Sequence, residues 1–96
     1  MSAQKWEPIK TENPDVMQLQ IGFKICTFDT EDIQLIKMLM PSISKYGYAE
    51  TTILSYSGYK FVPCIGNILL KTPGRIRFKN NDYTDYRKCN IYIEPT

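Results

Sequence analysis

Hydrophobic and polar residues alternate most regularly between Val16 and Phe28. In "VMQLQIGFKICTF", Met17, Leu19, Ile21, Phe23 and Ile25 take every second position, and Gln18, Gln20, Gly22, Lys24 and Cys26 fill the places between. A period of two belongs to a strand with one buried face, so the pattern predicts a long half-buried strand. The period then changes in "FDTEDIQLIKMLM". Asp29 or Thr30 can cap a helix, Glu31 and Asp32 suit the positive end of its dipole, and Ile33, Ile36, Leu39, Met40 and Ile43 mark one helical face. Pro41 falls inside that pattern and is expected to kink or restart the helix, with Gly47 as its stop.

Beyond Gly47 the pattern is that of strands. "AETTILSYS" reads as a strand, Ser57-Gly58 as a turn and "YKFV" as its return. Pro63 and Gly66 confine any pairing that follows to an edge or a bulge. "NILLK" and "RIRFK" flank "TPG" as two further strands with a loose connection, "NNDYTDYRK" is a polar loop, and "CNIYIE" is a last strand with Ile91 and Ile93 on one face. The expected fold is α+β: one antiparallel sheet of about four to five strands, with one Pro-kinked helix after the first strand.

Residues 1–15 carry Pro8, Pro14 and mixed charges without periodicity, and read as a flexible N-terminal arm before a single domain at 16–96. Trp6 stands out in that arm. An indole buries a large area, so it either tucks back onto the domain or serves as the contact point for a partner.

At 96 residues and 43% hydrophobic, the composition is that of one globular domain with a modest core, for which self-association would be an aid. No stretch is long and apolar enough to span a membrane or to act as a leader. Cys26, Cys64 and Cys89 are odd in number and have no C-x-x-C spacing, which points to reduced thiols in a cytoplasmic or nuclear setting rather than to disulfides or zinc. Twelve Ile and nine Lys against two Ala suggest an AT-rich coding source, as in many viruses and phages.

Catalytic parts are scarce. The chain has no histidine, hence neither the commonest general base nor the commonest metal ligand. Ser44 and Lys45 are adjacent and would point to different helix faces, and "YSGYK" and "CIGN" are too glycine-poor for a phosphate loop. Asp82 and Asp85 have the spacing of turn carboxylates that bond nearby backbone, with too few oxygens around them for a calcium loop. The expectation is a protein that is not an enzyme and holds neither cofactor nor metal.

Charge changes the picture more. Net charge is +2, yet residues 1–70 hold six Lys/Arg against seven Asp/Glu, while residues 71–96 hold six against three and include all three arginines. In "RIRFK" the strand period places Arg75, Arg77 and Lys79 on one face and Ile76 and Phe78 on the other. Lys71 precedes this group, Arg87 and Lys88 follow it, and Tyr83 and Tyr86 lie between. Cations neutralise phosphates and aromatic faces stack on unpaired bases, so these eight residues are the candidate polyanion-binding set. Alternating cations also keep an edge strand from pairing wrongly, which is the structural alternative.

The functional expectation is therefore a non-catalytic binding or assembly module with nucleic acid as first partner, then an acidic protein surface or anionic lipid. The alternative is a small structural or inhibitory protein, of viral or phage accessory type, that works through protein contacts and homo-oligomer formation. Seven tyrosines suit such contacts. The Gly-aromatic run of the common RNA-binding sheet is absent from the sequence.

Overall fold

The computed structural model of the protein describes residues 6–51 and 64–95. The alternating stretch at its start is not one strand but a hairpin. Strand β2 (Val16–Ile21) and strand β3 (Lys24–Asp29) pair antiparallel through Leu19↔Cys26 and Ile21↔Lys24, so Gly22 and Phe23 form a two-residue turn. Gly22 has a φ of 60°, the positive value needed at the first position of a type II′ turn, where glycine carries no steric penalty. The turn also switches which positions are buried. Leu19 and Ile21 lie inside on β2, but on β3 the inward residues are Cys26 and Phe28, while Phe23 is 82% exposed and Ile25 is also outside.

Strand β1 (Ile9–Lys10) adds an edge to this pair by antiparallel pairing with Met17 and Gln18. The connection is tied by the Thr11 hydroxyl donating to Val16 O at 2.8 Å and by Asp15 N donating to Asn13 Oδ1 at 2.9 Å. Trp6 is half-buried against the core. Over residues 6–15, the structureless arm expected from the sequence is thus replaced by a short strand, a tied turn and a docked indole.

A single 3₁₀ turn (Thr30–Asp32) leads into helix α1 (Ile33–Leu39), which buries Ile33, Ile36 and Leu39. The helix neither kinks nor restarts at Pro41. It ends one residue earlier, with Met40 left-handed at φ 45° and its N–H donating back to Ile36 O at 3.2 Å. A residue before proline is disfavoured in the α region, so the chain leaves the helix there. Ile43, expected on the helix, lies instead in strand β4 (Ser42–Ile43), which pairs with strand β5 (Ala49–Glu50).

The expected strands at 52–62 fall outside the described residues. "NILLK", read as a strand, is part of helix α2 (Ile65–Leu70). Ile65 and Leu69 are four apart and both buried, the spacing of a helical face. Lys71 ends the helix in a left-handed conformation. Strands β6 (Ile76–Phe78) and β7 (Ile91–Ile93) fall where strands were expected in "RIRFK" and "CNIYIE", with Ile76 and Phe78 inside, and they pair antiparallel with each other rather than "RIRFK" with "NILLK".

The α+β class holds, but the single sheet does not. Among the described residues, seven short strands form sheets of three, two and two, with two helices among them. One hydrophobic cluster joins all of these: Leu19, Phe28, Ile36, Leu39, Ile65, Ile76, Phe78 and Tyr86 belong to the same core. Strands of two or three residues bury too little on their own to stand as separate units, so their shared core is what unites them.

Candidate functional site

The β6–β7 ribbon presents the cationic row. Arg77 lies directly opposite Tyr92, and Glu94 N donates to Arg75 O at 2.8 Å, which continues the register by one pair. Residues opposite one another share a face, so Arg75, Arg77, Tyr92 and Glu94 all project outward. Arg77 donates from Nε at 2.9 Å and from Nη2 at 2.6 Å to Glu94 Oε1. That hydrogen bond is the main reason its pKa rises further above the ordinary value. Arg75 is 72% exposed and reaches Glu94 only at 3.8 Å. Lys71 and Lys79 are exposed, with no ion pair among the described residues.

The remaining predicted cations are engaged within the fold. Arg87 donates to both oxygens of Asp85, from Nε at 2.8 Å and Nη2 at 2.6 Å. Burial by itself would raise the Asp85 carboxyl, but Arg87 and the amide of Asn80 outweigh it and hold the pKa below the usual carboxylate range. Lys88 donates from Nζ to Glu31 at 2.7 Å and to Asp32 at 3.1 Å, while its backbone N–H donates to Asp29 at 3.0 Å. The Glu31 hydrogen bond raises the Lys88 pKa and Lys88 in turn lowers that of Glu31. These bonds fasten the 80–90 loop to the start of α1. Arg87 and Lys88 are therefore structural ties first, and the six predicted cations do not form one continuous free patch.

Tyr86 is the clear correction. It was expected to stack on bases, yet it is wholly buried, stacked on Phe28 at 5.6 Å and edge-on to Phe78 at 5.2 Å. Its neighbours Thr84 and Asp85 reach across to β3. Thr27 N donates to Thr84 O, and Tyr86 N donates to Thr27 O, each at 2.7 Å. That bridge turns the ring inward, and no ligand reaches it in the folded state.

Tyr83 has the opposite fate. It is 45% exposed and packed against Tyr48 at 5.6 Å and Phe78 at 5.3 Å. A cleft of about 410 Å³ brings Tyr83 together with Arg77, Tyr92, Asn81 and Glu94. On the other side of Arg77 a second cleft, of about 690 Å³, takes in Arg75, Tyr46, Tyr48, Glu50 and Asn67. Arg77 thus borders both. Tyr92, Tyr48 and Glu94 were not singled out from the sequence; their only signal there was the strand period in "CNIYIE" and the tyrosine excess.

Two other groups bear on function. Asp29, Glu31 and Asp32 bring carboxylate oxygens within 4.8 Å of one another, a spacing that suits a cation. The Lys88 ammonium already bonds two of the three. Trp6, expected either to tuck back onto the domain or to serve as a partner contact, is half-buried against its own core.

Among the described residues no helix is long and apolar enough to cross a membrane. No family model, no curated protein and no solved structure matches the chain.

Proposed function

We propose that the protein is a non-catalytic binding module that engages a polyanion, nucleic acid first, with the outer face of the β6–β7 ribbon. One observation carries this reading: Arg75, Arg77 and Lys79 alternate along β6 and its flanks, all exposed, with Glu94 the one carboxylate paired to them among the described residues. Three cations against one carboxylate leave a local excess of positive charge. Its spacing along the strand is about 7 Å between alternate side chains, wide enough for each cation to meet a separate phosphate. Arg87 and Lys88 contribute less, because binding through them would mean breaking the bonds to Asp85, Glu31 and Asp32.

The test is the double substitution Arg75→Glu and Lys79→Glu, at positions whose side chains make no close structural bond. Affinity for a short oligonucleotide is measured by fluorescence anisotropy across a salt series. The parent should bind at low salt with a steep salt dependence, and the variant should bind weakly with a shallower slope. Equal affinity of the two, or no binding by the parent at low salt, overturns the reading.

A second reading, contact with protein and self-association, is favoured by Phe23, Ile25, Met38 and Met40, all large, apolar and exposed. Apolar association persists as salt rises, whereas polyanion binding weakens. Light scattering across the same salt series, with and without the oligonucleotide, separates the two.

A further inference from the structure

We infer that the cleft bounded by Arg77, Tyr83 and Tyr92 is a seat for one unpaired base, so that the polyanion engaged by this face is a single strand and not a duplex. The inference rests on the polyanion reading and adds the part of the ligand that a charged row alone does not choose.

Three features of the cleft support it. The first is a pair of half-exposed rings: Tyr83 is 45% exposed and Tyr92 40% exposed, and both border the same space as Arg77. Tyr83 is stacked on Tyr48, which lines the same cleft, with 20° between the ring planes, so its orientation is fixed before a ligand arrives. A ring that is already immobilised loses little conformational freedom on stacking. Tyr92 is set by its place in β7, opposite Arg77.

The second feature is how Arg77 is held. Its two hydrogen bonds go to one oxygen of Glu94 and use two of the five guanidinium N–H groups, leaving the Nη1 side for a phosphate. The third is Glu94 itself. A surface built for phosphate alone gains nothing from a carboxylate at its centre, which repels the ligand. Beside a base the same carboxylate accepts hydrogen bonds from exocyclic amino groups, and the Asn81 amide at the cleft edge can do likewise. Charge is thus divided: Arg75 and Lys79 lie at the ends of the row for the backbone, while the acceptor and the rings meet in the middle. A volume of about 410 Å³ is also in the range of sites that hold a small ligand.

A duplex fits this arrangement poorly. Its bases are stacked on one another and their hydrogen-bonding edges are already paired, so reaching two tyrosines requires unstacking and unpairing a nucleotide. An unpaired base meets no such cost.

The test compares three ligands of equal length: a mixed-sequence single strand, its duplex, and an abasic strand with the same number of phosphates. Parent protein, Tyr92→Val and Tyr83→Leu are titrated with each by anisotropy, with circular dichroism confirming the fold. The parent should prefer the single strand over the other two by about tenfold or more, and each tyrosine variant should lose roughly tenfold on the single strand with no change on the abasic one. Because Tyr83 contacts Phe78 and Tyr48, the exposed Tyr92→Val variant decides the matter should Tyr83→Leu unfold. If single, duplex and abasic strands bind equally and both variants match the parent, the base seat is wrong, and the polyanion reading stands as long as Arg75→Glu/Lys79→Glu still weakens binding. If no strand of any kind binds at low salt, both fall together.

Discussion

The phenolic oxygen of Tyr86 accepts a hydrogen bond from the Ala49 N–H at 2.8 Å, and neither residue is reached by solvent. This one bond fastens the loop that carries the exposed tyrosine and the cations to strand β5, across 37 residues of sequence. Tyr86→Phe keeps the ring stacked on Phe28 but leaves the amide of Ala49 buried without a partner. The expected loss is about 1–3 kcal/mol, read as a lower midpoint in urea with an unchanged slope. Tyr92→Phe, at an exposed hydroxyl, should stay within about 0.5 kcal/mol of the parent. A Tyr86→Phe variant as stable as the parent would show that water replaces the lost acceptor.

The Asp85–Arg87 pair gives a dependence on acid. Asp85 is held below its ordinary pKa in the fold, so the unfolded chain binds more protons than the folded one as pH drops. Its contribution is in place above the unfolded value of about 3.9 and disappears as pH falls through the lower folded value. Asp85→Asn should therefore cost about 1–3 kcal/mol at neutral pH, less than breaking a fully buried pair because Arg87 can turn to solvent. The gap between variant and parent should narrow on acidification. Urea melts at several pH values between 3 and 7 check it, and a gap that stays constant would assign the loss to the neutral hydrogen bonds alone.

Particular residues show what could be seen in the sequence and what could not. The inward and outward assignment of "RIRFK" and "CNIYIE" held because a strand period needs no knowledge of partners: Ile76, Phe78 and Ile91 are buried, and Arg77 is not. The same rule failed between 16 and 28 because a two-residue turn at Gly22 reverses which positions face in, and a glycine among alternating residues looks like one more outward position. "NILLK" failed for another reason. A short apolar run has no period of its own, and its helical form is set by Ile65 and Leu69 packing on the core. Tyr83 and Tyr86 are three residues apart in one polar loop, and only the backbone bridge to Thr27 decides which ring goes in. The ion pair of Lys88 reaches Glu31, 57 positions away, so this engaged cation looks like the free ones in sequence.

Helix α2 rests on β6 with no room between them. A Cβ at Gly66 would lie 2.9 Å from Cγ1 of Ile76 and 3.1 Å from its Cδ1 and Cγ2, and Ile76 is itself buried. Two effects oppose each other in Gly66→Ala. Alanine gains up to about 1 kcal/mol over glycine in a helix interior, whereas overpacking costs typically 1–3 kcal/mol. Three close contacts on a branched, buried side chain make the second effect the larger. Thermal melts should show a net loss, and since Ile76 neighbours Arg77, oligonucleotide affinity should fall with it. A stabilised Gly66→Ala would mean that the helix shifts outward at little cost.

The three cysteines should react with a thiol reagent at three different rates, because reactivity needs both access and thiolate. Cys89 is exposed and should be modified first. Cys64 is partly covered, and burial raises its pKa even though the N–H groups of Gly66 and Asn67 lower it in part, so it should follow slowly. Cys26 has no exposed surface, and burial pushes its thiol up to about 11 against a smaller opposing pull from Lys24. At pH 8 only about one in a thousand of such thiols is ionised, and none of those meets the reagent until β2 and β3 open. Ellman titration should then give one fast thiol, abolished by Cys89→Ser, one slow thiol, and a third released only by denaturant. The slowest rate also measures the free energy of opening the core hairpin when reclosing is faster than labelling. Oligonucleotide binding at the β6–β7 face should leave the Cys89 rate nearly unchanged while slowing that of Cys64, which lines the cleft beside Arg75. A native-state thiol signal that is fast and abolished by Cys26→Ser would contradict the burial of Cys26 and, with it, the assignment of the inward face of β3.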